Sequence, residues 1–266
     1  MRVVTNRGFI RKRAMIGRIC TPLGFLALFG GLGYTWLGFG SAQETSTIVV
    51  SYAALIAGYV LISIGKNNWL RFSLHPRPDE ALAINLKSLD VKTILFNYIP
   101  TLPVDHLVYT PNGLVVIETR SFVSDIAVRG DRWSRRGAAA ALQFFSEGAL
   151  GNPTKEALRG AEQVKAWLAE RLGGAADPVP VAAMVVMTHP RARIHVEEPT
   201  IPVVHARDTR PEVRKLASGP RLPNDVARRV ETLLLDESRP FGEPVNAGEA
   251  VDRKPPRRRR KAAGAR

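Results

Sequence analysis

The sequence predicts an α/β domain preceded by two membrane helices, and three observations support this prediction. Two successive runs without a charged residue fill positions 19–43 and 45–65, apart from the single acid that separates them. From about residue 76 the pattern changes to short apolar runs that alternate with amphipathic helical segments, as in mixed α/β domains. The formal charge of +14 is concentrated at the two ends of the chain.

The excess positive charge lies in residues 1–18 and 253–266. The first segment contains six Lys and Arg residues, the second contains eight, and neither contains an acid. The residues between them therefore carry no net charge, so the overall basicity gives no argument for nucleic-acid binding by the folded part. Cys20 is the only cysteine, so the chain forms no internal disulfide.

The two uncharged runs are long enough to cross a membrane, since a spanning helix needs about 20 apolar residues. Only Glu44 separates them, which predicts a transmembrane hairpin over residues 19–65 with a short external link. A cleaved signal peptide followed by one span is the alternative. A signal peptide has an apolar region of about 7–15 residues before its cleavage site, whereas the first run is longer and no clear cleavage site follows it.

Lys and Arg residues precede the first run and follow the second, and the link between the runs has none. The positive-inside rule therefore predicts a multi-pass protein of the cell membrane with both termini in the cytoplasm. Residues 1–18 form a basic cytoplasmic N-terminus in this interpretation. The lipid bilayer is then one partner, and anionic lipid is expected to attract the two basic ends.

The apolar patterns after residue 76 predict the elements of a cytoplasmic domain over 71–237. A helix is expected at 79–89, because leucines recur there at helical spacing after a capping Asp79. Another is expected at 153–172, between Pro153 at its first turn and a Gly-Gly pair after its end. A third follows from the apolar stripe at 223–236.

Strands are predicted where apolar residues run or alternate between turn signals. The expected strands are 92–99, 104–110, 114–120, 125–129, 179–188, and short ones near 194–196 and 201–204. Residues 134–151 are expected to form a loop or a short helix. Residues 238–266 are rich in Pro, Gly and charge, which predicts a disordered basic tail.

The stretch VDHLVYTPNGLVVIETR, residues 104–120, predicts a β-hairpin with charged residues at its open end. Glu118 and Arg120 are two residues apart and so point to one face of the sheet. A tight turn at Asn112-Gly113 would bring Asp105 opposite Arg120 on that face, whereas a three-residue loop at 111–113 would move it to the other face unless a bulge intervenes. In either register His106 points away from Asp105. Two carboxylates beside a cation are suited to Mg²⁺ or Mn²⁺ and to phosphodiester chemistry.

This stretch resembles the nuclease-related domain family, a branch of the PD-(D/E)xK nuclease-like superfamily. The matching features, which cover roughly residues 76–205, are Glu80 in DEALAINLKSL, Asp105 in VDHLVYT, the run PNGLVVIETR, Gly130 and Trp133 in RGDRW, Asn152-Pro153, and the strand VAAMVVMT. The resemblance implies a restriction-endonuclease-like α/β/α core. It also implies metal-dependent nucleic-acid cleavage, with Glu80, Asp105 and Glu118 as metal ligands and Asp105, Glu118 and Arg120 as catalytic residues.

The sequence departs from the family pattern twice. Arg120 stands where the family usually has lysine, and arginine keeps its proton near neutral pH. Glu156 stands where a glutamine usually follows the Asn-Pro pair, while Gln163 lies two turns further on. Glu156 and Gln163 are therefore secondary site candidates. Two functions stay open: a membrane-anchored, metal-dependent nuclease, or a nuclease fold without catalysis that binds nucleic acid or protein.

Overall fold

A computed structural model describes residues 1–38, 44–137, 149–176 and 179–252. The link between the two uncharged runs, most of the predicted loop or short helix at 134–151, and the basic tail from residue 253 lie outside the described residues. The predictions made for those segments are therefore untested.

The two uncharged runs form the long helices α1 (Arg7–Gly38) and α2 (Glu44–Phe72). Both are long and apolar enough to span a membrane, which indicates membrane association. At about 1.5 Å per residue each is roughly 45 Å long, which exceeds a hydrocarbon core of about 30 Å. The helices extend further toward the domain than the predicted spans at 19–43 and 45–65, since α1 begins at Arg7 and α2 ends at Phe72.

Glycines at intervals of seven residues allow α1 and α2 to pack closely. A Cβ atom at Gly24 would lie 2.6 Å from Ile62 Cγ1, and one at Gly31 would lie 2.8 Å from the Cβ of Ala54. The glycines in this contact are Gly17, Gly24 and Gly31 on α1, and Gly58 and Gly65 on α2. Small residues of this kind are typical of helix pairs that pack without a hydrophobic driving force.

The described part of the domain contains two sheets, whose strands are numbered in chain order. The first strands are β1 (Arg2–Thr5), β2 (Ile94–Asn97), β3 (His106–Thr110), β4 (Gly113–Arg120), β5 (Asp125–Arg129) and β6 (Arg132–Arg135). The later ones are β7 (Val181–Met187), β8 (Arg193–Glu197), β9 (Val203–His205) and β10 (Val245–Asn246). In the described residues, seven strands form the main sheet in the order β10-β1-β2-β3-β4-β7-β9, and β6-β5-β8 form a smaller sheet.

Five helices cover the two faces of the main sheet in the described part of the domain. They are α3 (Pro78–Leu86), α4 (Pro153–Leu172), α5 (Thr209–Leu216), α6 (Asn224–Ser238) and α7 (Ala247–Asp252), with 3₁₀ turns at Gly173–Ala176 and Ala206–Asp208. Side chains of α4, α6 and the smaller sheet share one core with one face of the main sheet. Side chains of α3, α5 and α7 share a second core with the other face. The predicted α/β/α architecture is confirmed.

The largest difference from the sequence-based prediction is the strand at the N-terminus. Residues 1–18 were expected to be a basic segment outside the domain, but β1 lies in the main sheet, parallel to β2, with Val4 paired to Phe96. Val3 is 1% exposed and Val4 is 0% exposed, so each fills one of the two cores. Because β1 and β2 are neighbours, the α1–α2 pair is an insertion into the domain.

The segment after residue 238 also differs from the predicted disorder in its described part. β10 pairs antiparallel with β1, and Ala247 of α7 is buried in the core on the α3 face. Earlier in the chain, α5 and β6 are elements that the apolar pattern did not indicate. The predicted helix 153–172 and strand 125–129 have the observed boundaries, whereas the other predicted elements are shifted by a few residues at their ends.

Candidate active site

The register of the β3–β4 hairpin brings the two predicted carboxylates together. Leu107 pairs with Val116 and Thr110 pairs with Gly113, so the connection consists of Pro111 and Asn112. Continuing this register places Asp105 opposite Glu118, and both side chains lie on the α4 face of the sheet. Both registers considered from the sequence were wrong, because the turn is one residue earlier than Asn112-Gly113.

Local contacts explain this position of the turn. The hydroxyl of Thr110 donates to the carbonyl of Gly113 at 2.9 Å and accepts from the amide N–H of Asn112 at 3.2 Å. Gly113 has a φ of +142°, and a Cβ atom there would lie 2.6 Å from the carbonyl oxygen of Pro180. Only glycine tolerates both this conformation and this close approach, so Gly113 is fixed as the first residue of β4.

Asp105 and Glu118 line one open cleft of about 410 Å³ between the hairpin and α4. Helix α4 contributes Glu156, Arg159 and Gln163 to the same cleft. The structure therefore brings together the two main predicted carboxylates and both secondary candidates. The cleft carries three acids on its walls.

Arginine side chains bind these acids. Arg71 at the end of α2 donates to Asp105 Oδ2 at 2.7 Å. Arg120 donates to Glu118 through Nη1 and to Glu156 Oε2 through Nη2, the latter at 2.5 Å. Arg120 is thus held between a strand acid and a helix acid.

Burial and charge perturb the titration of the groups around the cleft. Burial raises the pKa of Glu118 above its ordinary value of 4.5, although the positive charges of Arg120 and Arg71 oppose this effect and Glu156 adds to it. Burial also lowers the pKa of His106 to about 3, so this imidazole is neutral. His106 Nδ1 is 2.8 Å from Asn97 Oδ1, on the opposite side of the strand from Asp105 as predicted.

Glu80, the third predicted metal ligand, does not line this cleft. Its Oε2 atom accepts from the backbone N–H of Arg77 at 3.0 Å and lies 2.7 Å from His75 Nδ1, so Glu80 caps the start of α3. In the described residues, no group of three His, Cys, Asp or Glu side chains is arranged to hold a metal ion. The acid of α3 that points inward is Asp79, which is 5% exposed and forms a two-point ion pair with Arg77.

Other residues of the sequence motif fix the start of α4. Asn152 accepts from the N–H of Lys155 at 3.0 Å as the helix cap, and its Nδ2 donates to the carbonyl of Asp131. Trp133 Nε1 donates to the hydroxyl of Thr154 at 2.9 Å. These contacts join the smaller sheet to the first turn of α4, which holds Glu156 beside Arg120.

Sequence reasoning missed three residues of the site, namely Phe9, Arg71 and Tyr98. Phe9 and Tyr98 line the cleft, and Arg71 binds Asp105. Arg71 follows the second apolar run and was interpreted only as part of the positive charge beside the membrane, whereas Phe9 and Tyr98 carried no signal that pointed to a site. No local pattern in the sequence relates Phe9 or Arg71 to Asp105, because the contacts depend on β1 entering the sheet.

The structure combines an α/β/α core with two carboxylates at the open end of a central hairpin. Residues 79–188 match the model of the nuclease-related domain family. The chain therefore carries a nuclease-related domain, preceded by two helices long and apolar enough to span a membrane. Neither a curated protein nor a solved structure matches the chain.

Proposed function

We propose that this protein is a membrane-anchored nuclease that hydrolyses phosphodiester bonds of nucleic acid with Mg²⁺ or Mn²⁺. The observation that carries the proposal is the pairing of Asp105 and Glu118 on one face of the sheet, at one open cleft. Family membership of residues 79–188 supports the same class of reaction.

The residues present fit a hard divalent cation. Mg²⁺ in phosphate-processing sites uses one or two carboxylates and completes its shell with water and substrate oxygens. Arg71 donates to Asp105 Oδ2 and Arg120 donates to Glu118 through Nη1, so both carboxylates already interact with positively charged groups in this structure. When bound there, the metal would supply an activated water and neutralise charge on the phosphate.

The remaining roles belong to the side chains of the chain itself. Arg120 keeps a fixed positive charge, and its planar fork can donate two hydrogen bonds to phosphate oxygens when Glu156 releases it. Arg159 on the cleft wall places a second cation where a phosphate would enter. Gln163 offers an uncharged amide that can donate to the substrate without adding charge.

A nuclease fold that binds nucleic acid or protein without turnover is the second candidate. The observation that favours it is the double engagement of Arg120 by Glu118 and Glu156. A guanidinium held by two carboxylates is not free to bind a phosphate. Recovery of cleavage in Arg120→Lys would support this reading of the native site.

We further propose that α1 and α2 cross the cell membrane and that the domain lies in the cytoplasm. Because β1 precedes α1 and β2 follows α2 in the same sheet, both ends of the helical pair must lie on one side of any bilayer that the pair crosses. The Lys and Arg residues on that side favour the cytoplasm. The basic ends of the chain would then face anionic lipid.

Cleavage by the full chain in detergent micelles tests the nuclease proposal. DNA and RNA are incubated with Mn²⁺ and the native chain, Asp105→Asn, Glu118→Gln or the control Glu162→Gln. Glu162 is an acid of α4 that lies outside the cleft and pairs with Lys165. The native chain and the control are expected to cleave, and the two site variants to lose about a hundredfold or more, as for groups that stabilise a transition state.

Equal cleavage by the native chain and Asp105→Asn would contradict the nuclease proposal, because the activity would then not depend on this site. Absence of cleavage by every chain would also contradict it. Binding of the same oligonucleotides without cleavage would favour the second candidate.

A further inference from the structure

The domain-side ends of the two long helices reach the candidate site. Arg71 lies one residue before the end of α2 and binds Asp105 at 2.7 Å. Phe9 lies in the first turn of α1 and lines the same cleft as Asp105 and Glu118. The helical pair therefore contributes a cation to one site acid and an apolar wall to the cleft, in addition to its membrane-spanning length.

An aromatic cluster fixes the helical pair to the start of β3, next to Asp105. The ring of Tyr98 lies 5.7 Å from that of Phe9, 5.3 Å from that of Phe72 and 4.8 Å from the imidazole of His106, measured between centroids. The guanidinium of Arg71 lies over the rings of Phe72 and Tyr98, at 5.7 and 5.9 Å from their centroids. Rings packed at these distances contribute beyond the area they bury.

Tyr98, whose own backbone conformation is strained, also binds the backbone of Asp105. Its φ is +56°, which bulky residues rarely adopt, and its N–H donates to the carbonyl of Asp105 at 2.7 Å. Asp105 is thus held at its carbonyl by Tyr98 and at its carboxylate by Arg71. Both holding groups belong to the interface between the helical pair and the domain.

We infer that Arg71 positions the carboxylate of Asp105 and occupies it until a divalent cation displaces the guanidinium. This inference rests on the proposed function. The guanidinium and the cation compete for one carboxylate, so binding of the cation weakens the contact between the end of α2 and the domain. Linkage is reciprocal. A shift of α2 away from Asp105 would therefore raise the affinity of the site for the cation by the same factor by which the bound cation weakens the contact of α2 with the domain.

The affinity of the full chain for Mn²⁺ alone, measured in detergent micelles by titration calorimetry, tests this competition. Arg71→Ala removes both the competitor and a repelling charge, and we expect Mn²⁺ to bind roughly tenfold more tightly. Arg71→Lys keeps the charge but loses the planar fork, so its affinity should lie between those of the native chain and Arg71→Ala.

Arg13→Ala is the matched control. Arg13 lies at the same end of the helical pair, is exposed, and places its guanidinium 5.1 Å from the ring centroid of Phe9. Its replacement removes the same charge without touching Asp105, so the affinity should change by less than about twofold on that basis. Equal effects of Arg71→Ala and Arg13→Ala would overturn the inference.

A second measurement separates failure of the inference from failure of the proposed function. If neither the native chain nor Arg71→Ala binds Mn²⁺, the cation site and the competition at it are both excluded. The positioning contact is then decided by the melting temperatures of Arg71→Ala, Asp105→Asn and the double variant. If the double variant melts no lower than the less stable of the two single variants, the contact is supported. If the decreases in melting temperature of the two single variants add fully in the double variant, the contact is excluded.

Discussion

Replacing the two core valines of β1 tests whether the N-terminal strand is part of the domain. Val3 and Val4 are almost completely buried and enter the two cores on opposite faces of the main sheet. Each substitution by alanine removes two carbon atoms from a packed core. At about 0.8 kcal/mol per buried methylene, plus a contribution from the cavity, each should lower the free energy of unfolding by about 2 kcal/mol.

The double variant Val3→Ala/Val4→Ala should therefore lose about 4 kcal/mol, a large part of the roughly 5–15 kcal/mol typical of a domain. Pulse proteolysis in urea measures this loss on the full chain in micelles. With a denaturant slope of about 2 kcal/mol per molar urea, the midpoint for the domain should fall by about 2 M.

The matched control is Val91→Ala, since Val91 lies in the same domain and is 72% exposed. Its midpoint should equal that of the native chain. A double variant as stable as Val91→Ala would refute the placement of β1 in the sheet. A fragment that starts at residue 71 lacks β1 altogether and should be cleaved by protease without urea, because the edge of β2 and both cores are then exposed.

Three further predictions concern the helical pair and the titratable groups. Gly24→Leu should separate α1 from α2 and so reduce the amount of folded protein recovered in micelles. Gly30→Leu is the control and should not reduce it, because the space around Gly30 is open. Equal recovery of the two variants would contradict the glycine contact. Since burial lowers the pKa of His106 to about 3, the unfolded chain takes up a proton below its ordinary value of 6.5 while the folded chain does not. The free energy of unfolding should then fall by up to about 1.4 kcal/mol per pH unit below pH 6.5, and His106→Gln should lack this part of the pH dependence in urea titrations. Burial raises the pKa of Glu118, so protons should compete with Mn²⁺ for this carboxylate at higher pH than for an ordinary glutamate. The Mn²⁺ affinity should therefore be lower at pH 5 than at pH 7.5. An affinity that does not change with pH would exclude Glu118 as a ligand.

The order of the main elements and the shared face of Glu118 and Arg120 were predictable, because each depends on spacing within a few residues. The turn of the hairpin was not predicted correctly, since the close approach of Pro180 to Gly113 comes from a distant part of the chain. Glu80 was predicted as a metal ligand from its place in the motif. Its side chain instead caps the start of α3, where it contacts Arg77 and His75.

The sequence by itself determined the two long apolar helices, the α/β class of the domain and the hairpin that carries Asp105 and Glu118. These features follow from hydrophobic periodicity and from the alternation of side chains along a strand. Only the tertiary structure decided that β1 belongs to the main sheet, that Arg71 binds Asp105, and that Glu156 holds Arg120 from the opposite side. Those contacts join residues between 34 and 92 positions apart. The contacts of β1 and Arg71 form because β1 and β2 pair across the inserted helices, and the contact of Glu156 forms because α4 packs on β4. No local pattern in the sequence records either arrangement.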